Sequence, residues 1–547
     1  AIGEICNRVD GLPLAIELAA ARTRLLQPTQ LLARMGKSLD MLNKGQKDLP
    51  ERQQTLRSAI AWSYDLLDEP AKRAFRTLGI FKRSWTLEAA DALFEALKLS
   101  GDVEALTEQL LDVSLIKPVL VSHASEPRFN MLQTVHEYAN EMLAESGELE
   151  EVRMAFAQYF LTLVSQSEDQ LWGLNSEPWF DKIEYEYQNI RASFNAFVDH
   201  KNYEGAWKMF YLVHMFWHAR GGLGEVDLWK ERAKIEPSLE QSDPAIMAID
   251  KSVKAKAYMW MAYCDFFLFH IQGGLEKLHR AEEFFRELGD QGNLAIALSM
   301  DGGYGVYCNT PDFEEKLMEA EAIIRSGDYV LAKCFLFTWA IEYYRLKGEI
   351  ETVEARIKEA KQLSTLYEMP LIRFFTTIVK LTEMYNSNSD YERMAAECKS
   401  AIDAFPEKSY KSSRGSLMGG CAMCLLLQGR IEESLDWFVP AMELILESGD
   451  KEAYYHGVIG SIIYFMHVNR PDISVKCMGA LDHFIEVAHY PMSGQTKLEY
   501  DFAGSFLEPL KTDARYTEWY ALGQRLSLDQ AFRLAFSQMQ TDAKSVA

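Results

Sequence analysis

Residues 348–361 read GEIETVEARIKEAK, residues 390–402 read DYERMAAECKSAI and residues 429–444 read GRIEESLDWFVPAMEL. Each opens on a turn residue and then places apolar side chains three and four residues apart, the pattern of a helix with one buried face. Similar breaks stand at Gly274, Asp312 and Arg470, so the six breaks follow at spacings of 38, 36, 42, 39 and 41 residues. Gly-Asp pairs at Gly289-Asp290, Gly327-Asp328 and Gly449-Asp450 end apolar helices between them, with weaker helix ends near Tyr367 and Glu407. Two helices per unit at this period predict an α-solenoid of tetratricopeptide-like repeats. One unit cannot bury its own apolar face, so units stack and leave a long concave surface that suits a protein, a peptide or a small effector. The unit is longer than the usual tetratricopeptide of about 34 residues, and the repeat subtype stays open.

With 547 residues the chain exceeds what one core supports, and several domains or an extended array are expected. The net charge is −23, unevenly placed: residues 1–100 hold 15 Lys and Arg against 12 Asp and Glu, the remainder 42 against 68. An acidic body repels phosphates, which argues against sequence-independent DNA binding by the bulk of the chain and favours a protein partner. Eight cysteines are scattered without a disulfide framework and read as reduced core residues of a cytoplasmic protein. No apolar run approaches the roughly 20 residues of a membrane span, so no membrane partner is expected. The chain opens at Ala1 without methionine or a leader, and an upstream segment is expected.

Residues 10–22 read DGLPLAIELAAAR, a helix opened by Gly11, Leu12, Pro13 and Leu14. Proline has no N–H to lose in a first helical turn, and its fixed φ suits that position. The string resembles the GLPL motif of the NB-ARC branch of the STAND signalling ATPases, which includes plant resistance proteins, apoptosome scaffolds and bacterial transcriptional regulators. RQQTLRSAIAWSYDLL at 52–67 resembles the bacterial branch, in the family's order. Helices near Ala71–Leu78, Leu87–Leu97 and Val103–Val113, followed by strand, turn and strand in LIKPVLVS, HASEPR and FNMLQ, follow the plan of a winged helix. MLQTVHEYANEML at 131–143 resembles the family's MHD region, with Leu132 in place of its phosphate-sensing histidine and Gln133 in place of its acid. His136, four residues on, reads as a helix-surface residue. WFDKIEYEYQNIRASFNAF, with Glu186, Asn189, Ile190 and Arg191, resembles a helix pair that follows the winged helix in bacterial members. RYTEWYALGQRLSLDQAFRLA at 515–535 resembles their last helical unit, with Ser527 placed to cap the final helix.

The reading is mainly α: a small helical domain over 1–67, a winged helix with a short β-hairpin over 68–148, a helical adaptor over 149–240, and a tetratricopeptide-like α-solenoid with a C-terminal cap over 241–547. The resemblance implies nucleotide contact at Gly11, Leu12, Pro13 and Leu14 and a phosphate-sensor region at Leu132 and Gln133. It makes ATP or ADP a cofactor of the full-length protein only. It also implies a homo-oligomer on activation, and DNA contact through an output domain outside this chain.

Other chemistry is weakly signalled. Gly36-Lys37-Ser38 lacks the glycine that a phosphate loop needs at position 31, which is Leu31, and no Walker motif stands elsewhere, so the chain is not expected to be an enzyme. His214 and His218 have helical i, i+4 spacing but no third ligand, and read as packing or surface residues. Cys421 and Cys424 sit in GGCAMCLLLQG, which reads as a tight helix crossing. The aromatic runs FFLFH at 266–270 and KMFYLVHMFWHAR at 208–220 read as inter-helix core.

The function this supports is the regulatory and sensor portion of a nucleotide-dependent switch controlling an output domain, with transcription as the output. The alternatives are a winged-helix DNA-binding regulator with a solenoid dimerisation domain, and a nucleotide-independent scaffold. Against the first of these, the third helix carries Glu104, Glu108 and Asp112 with only Lys117 after it.

Overall fold

The computed structural model describes residues 1–8, 16, 19–20, 23, 27–32, 51–119, 126–168, 170–173, 176–240, 242–308, 310–367, 369–381, 390–488, 490, 492 and 494–546. Gly11, Leu12, Pro13, Leu14 and the Gly36-Lys37-Ser38 string lie outside the described residues. The chain divides into two compact units, residues 1–165 with 185–201, and residues 166–184 with 202–547.

In the first unit, capping residues set the helices. Asp68 accepts a hydrogen bond from the Ala71 N–H at 2.9 Å and opens Glu69–Leu78, with Pro70 in the first turn. Thr86 and Asp102 cap Leu87–Ala96 and Val103–Asp112 in the same way. The expected hairpin forms between β2 (Lys117–Val119) and β3 (Arg128–Asn130), antiparallel with Pro118 opposite Phe129. A third strand, β1 (Trp85–Thr86), pairs with β3 through Trp85 opposite Phe129 and gives the order β1-β3-β2. Two residues are too few to show alternation, so the sequence pattern gave no sign of this strand.

Helix Gln133–Glu145 packs against Glu69–Leu78 so closely that a Cβ on Gly79 would lie 2.8 Å from the Ala139 Cβ. The sheet is fastened by a buried polar cluster. Arg128 pairs with Glu186 at 2.5 Å, and their side chains are only 6% and 5% exposed. Arg128 also donates to the Ser84 hydroxyl and carbonyl, while Asn189 accepts from the Lys82 N–H at 2.8 Å and donates to Glu186 at 2.7 Å. The Glu186 and Asn189 singled out in the sequence are therefore the residues that hold the 82–85 loop.

In the second unit the helices come in consecutive pairs. They are Lys251–Phe267 with Ile271–Leu288, Gln291–Cys308 with Phe313–Ser326, Val330–Leu346 with Ile350–Leu366, Pro370–Leu381 with Tyr391–Ile402, Lys411–Leu427 with Ile431–Ser448, and Lys451–His467 with Pro471–Val487. The expected breaks at Asp312, Gly348, Asp390, Gly429 and Arg470 fall between the two helices of a pair. Gly274 does not: it lies inside Ile271–Leu288, and the chain turns instead at Phe269, which has φ +61°. A Cβ at 274 would lie 3.0 Å from the Tyr304 ring, so the glycine serves a close approach rather than a break.

Two of the first helices are buried all round over much of their length. Every residue from Ala257 to Phe267 is buried, as is every residue from Val458 to Phe465. Such helices need protein on every side, and the array provides it by closing on itself. Tyr203–Arg220 packs on Lys411–Leu427, Lys251–Phe267 packs on Lys451–His467, and Val330–Leu346 packs on Gly494–Leu507. The open concave surface expected of a solenoid is thus replaced by an interior.

Three adjacent residues fasten this closure. The buried Arg220 guanidinium donates to Glu184 at 2.6 Å, Asp181 at 2.7 Å, Glu177 at 3.2 Å and the Ser409 hydroxyl at 2.9 Å. The Tyr410 N–H donates to the Ala219 carbonyl at 2.5 Å. At Gly221, φ is +83° and a Cβ would lie 2.7 Å from the Glu447 carbonyl oxygen, so no other residue fits. At the other end Ser527 caps Leu528–Val546, accepting from the Gln530 N–H at 3.2 Å. Among the described residues no helix is long and apolar enough to cross a membrane.

Candidate functional site

The interior of the second unit holds a cavity with about 1470 Å³ of empty space, part of it open to solvent. One wall is aromatic, made by Phe266 and Phe267 from Lys251–Phe267, Trp339 from Val330–Leu346, Phe374 and Phe375 from Pro370–Leu381, and Phe438 from Ile431–Ser448. Phe266 meets Trp339 edge to face at 4.8 Å, which keeps that corner rigid. The runs read as inter-helix core do pack between helices, but Phe266, Phe267 and His218 also face this space.

Other lining residues are polar. Asp450 caps Lys451–His467, accepting from the Ala453 N–H at 3.1 Å, and its other oxygen accepts from the Ser412 hydroxyl. Burial, then the neighbouring Glu452 charge, pushes the Asp450 carboxyl upward. His456, one turn further along, donates through Nδ1 to Glu499 at 2.5 Å, and its Nε2 lies 4.0 Å from Glu452. Burial would lower this imidazole, but the Glu499 and Glu452 carboxylates overcome it and raise it to about 10. His456 is therefore a cation at neutral pH, held between two carboxylates. Ser413, Ser416 and Thr496 also line the cavity, and among the described residues no lysine or arginine does.

His218 borders the same space. Its Nδ1 is 3.5 Å from the Tyr263 hydroxyl, and its Nε2 is buried without a hydrogen-bond partner. Burial lowers it to about 4, so the ring is neutral. His214 lies elsewhere in the core, stacked on Trp260 with ring centres 4.3 Å apart and lowered by burial to about 3. The two histidines are packing residues, and among the described residues no three side chains are grouped to hold a metal.

Cys421 and Cys424 are buried in Lys411–Leu427, with burial raising both thiols, Cys424 to about 12. The helix crossing expected there is at Gly415, where a Cβ would lie 2.9 Å from the Ala441 carbonyl oxygen. Two turns of the same helix behave oppositely: a Cβ on Gly419, which lines the cavity, meets nothing within 4 Å.

The phosphate-sensor region inferred at Leu132 and Gln133 stands in the first unit. Leu132 precedes Gln133–Glu145 with an exposed side chain, and Gln133 donates to Glu137 at 2.8 Å. His136 is not the surface residue expected: it is half-buried and donates through Nε2 to the Phe81 carbonyl at 2.7 Å. Glu104, Glu108 and Asp112 are all exposed on Val103–Asp112 of this unit, which gives that helix an acidic outer face.

No family model matches the chain. A protein of Mycobacterium bovis described as "Putative HTH-type transcriptional regulator" is 28% identical over 399 residues, 71% of this chain and 44% of that protein. The Mycobacterium tuberculosis counterpart is similar to the same extent. An uncharacterized protein of Mycobacterium bovis is 32% identical over 164 residues, 29% of this chain and 40% of that protein. The chain thus spans less than half the length of the curated relatives it matches. A solved STAND protein with a tetratricopeptide repeat sensor, from Pyrococcus horikoshii, aligns over 98% of this chain and 74% of its own at 13% identity, with a TM-score of 0.42. Fold and site define a mainly α protein whose helix pairs enclose an amphiphilic cavity. The relatives matched over 399 residues are described as transcriptional regulators, in agreement with the resemblance to bacterial STAND-type regulators carried by its motifs.

Proposed function

We propose that this chain is the regulatory and sensor portion of a STAND-type, nucleotide-dependent switch, in which the helix-pair unit binds a small effector to control an output domain elsewhere, with transcription as the output. The observation that carries this reading is the cavity: a concave, aromatic-walled space with a small number of polar groups in its lining is the form of a small-molecule site. The regulators among its relatives and the motifs at 10–26 and 52–67 support the rest.

In this reading the first unit is a winged helix used for internal packing and the helix pairs are of tetratricopeptide type. ATP or ADP is bound by the full-length protein, Gly11, Leu12, Pro13 and Leu14 forming one wall of its site, and this chain alone is not an enzyme. An effector shifts such a switch only by preferring one of its states, so its affinity must depend on the bound nucleotide. The protein is cytoplasmic, and it self-associates when activated. The acidic outer face of Val103–Asp112 disfavours the alternative of DNA reading by this unit.

Calorimetry and a transcriptional reporter test the proposal. The isolated chain is expected to show negligible ATP affinity, and micromolar binding would contradict it. In the full-length protein, Gly419→Met, which fills the cavity, is expected to abolish the response to effector; an undiminished response would contradict the sensor role.

A further inference from the structure

A second, smaller cavity adjoins the first. It holds about 420 Å³ of empty space, part of it open to solvent, and shares Thr338, Trp339 and Phe375 with the larger one. Trp172, Tyr263 and Phe335 line it with aromatic rings, and Leu331 and Leu371 with aliphatic groups. Among the described residues no acid, base, asparagine or glutamine lines it. Its hydroxyls and its thiol are engaged elsewhere. Thr338 donates to the Cys334 carbonyl at 2.8 Å, the Tyr263 hydroxyl lies 3.5 Å from His218 Nδ1, and the Cys334 thiol lies 3.7 Å from the Met369 sulfur. An apolar group that enters here gives up no hydrogen bond, whereas a hydroxyl exchanges its hydration for partners already taken.

The walls of this space are braced against one another. Trp172 meets Phe335 edge to face at 5.6 Å and Tyr263 meets Phe267 edge to face at 5.1 Å. Trp339, the edge common to both cavities, is held from behind, since a Cβ on Gly303 would lie 2.6 Å from its ring. Rings fixed in this way cannot fold inward to fill the space. Protein interiors are close-packed, and an apolar void forfeits the dispersion contacts of its lining, so a braced void beside the larger cavity is suited to part of a guest.

We propose that the effector site is bipartite and takes an elongated, largely apolar molecule. Its aromatic body lies among Phe266, Trp339, Phe374 and Phe438 in the larger cavity, and a slender aliphatic arm passes Thr338 into the smaller one. This assignment names the ligand class of the sensor and so rests on the sensor reading of the helix-pair unit.

The test is calorimetric titration of the whole chain with three probes that share one body. They are 2-naphthol, 6-butyl-2-naphthol and 3-(6-hydroxy-2-naphthyl)propan-1-ol, in which a hydroxyl replaces the terminal methyl of the butyl arm. The butyl probe is expected to bind at least about tenfold more tightly than 2-naphthol, about 1.4 kcal/mol, and the hydroxyl arm is expected to lose most of that lead. Leu331 lines the smaller cavity and not the larger. Leu331→Trp is therefore expected to bring the butyl probe down to the affinity of 2-naphthol and to leave 2-naphthol unchanged, with Leu331→Met as the conservative control. Leu371→Trp provides the same comparison if Leu331→Trp does not fold. Gly419→Met, in the larger cavity, is expected to abolish binding of all three. A butyl probe no tighter than 2-naphthol, a hydroxyl arm that keeps the full lead, a Leu331→Trp that weakens both probes alike or neither, or no binding of any probe overturns the proposal. Binding in the expected pattern that leaves a transcriptional reporter of the full-length protein unchanged supports the bipartite site and contradicts the sensor reading, so the two fail separately.

Discussion

The two units bury polar groups for different ends. In the first, Arg128, Glu186, Asn189 and Ser84 satisfy one another, and the result is a fixed loop and a small sheet. In the second, the carboxylates and imidazole at 450–456 and 499 line an open space, where packing alone would favour apolar residues. Buried charge that closes a network is structural. Buried charge that faces an empty volume calls for a guest. The contrast predicts that substitutions in the first cluster act on stability, whereas those at the cavity act on binding.

The largest effect is expected at the first cluster. Arg128→Ala leaves the buried Glu186 without its cation and should cost about 3–5 kcal/mol, read by denaturant unfolding of the whole chain. A cost under about 1 kcal/mol would show that the pair behaves as a surface one. Arg220→Ala comes next at about 2–3 kcal/mol, smaller because Glu184 and Asp181 are partly exposed and regain water. Its loss should also weaken the response to effector, since the closure it fastens lies beside His218 and Ser412 of the cavity lining.

Two glycines one turn apart sharpen the comparison further. Gly415→Ala drives a methyl into Ile445 and the Ala441 carbonyl and should cost about 1–3 kcal/mol. Gly419→Ala meets open space and should stabilise by up to about 1 kcal/mol through helix propensity. Equal effects at the two positions would deny the cavity.

The smallest effect is the pH dependence at His456. Folding raises this group from 6.5 to about 10, so its contribution to stability is complete below pH 6.5 and is lost as pH rises toward 10. Thermal unfolding should show a decline of stability over that window that His456→Gln removes, and an unchanged slope in the variant would contradict the ion pairing.

Much of the fold was legible because capping and period are local. Asp68, Asp312, Asp390, Gly429 and Ser527 mark helix ends in the sequence and in the structure. What escaped is non-local. Gly274 looks like a break and is instead a close approach to Tyr304, from a helix later in the chain. The closure of the array depends on Arg220 meeting Ser409, 189 residues away, and no period reports such a contact.

The cavity was hidden for the same reason, as its lining comes from eight separate segments between His218 and Glu499. One signal was available. Asp450, Glu452 and His456 open a helix whose remainder, VIGSIIYF, is buried throughout, and charge at the head of such a helix had no surface to serve. Leu132 and Gln133 show the converse: the motif that resembled a phosphate sensor carries an apolar side chain and an amide already bound to Glu137.

The central claim is that the interior of the helix-pair unit is the sensor site of the protein. The response of a transcriptional reporter driven by the full-length protein carrying Gly419→Met, with Gly419→Ala as the folded control, tests it most directly. The account predicts that the response to effector is lost in the first variant and kept in the second. An undiminished response in Gly419→Met would contradict it.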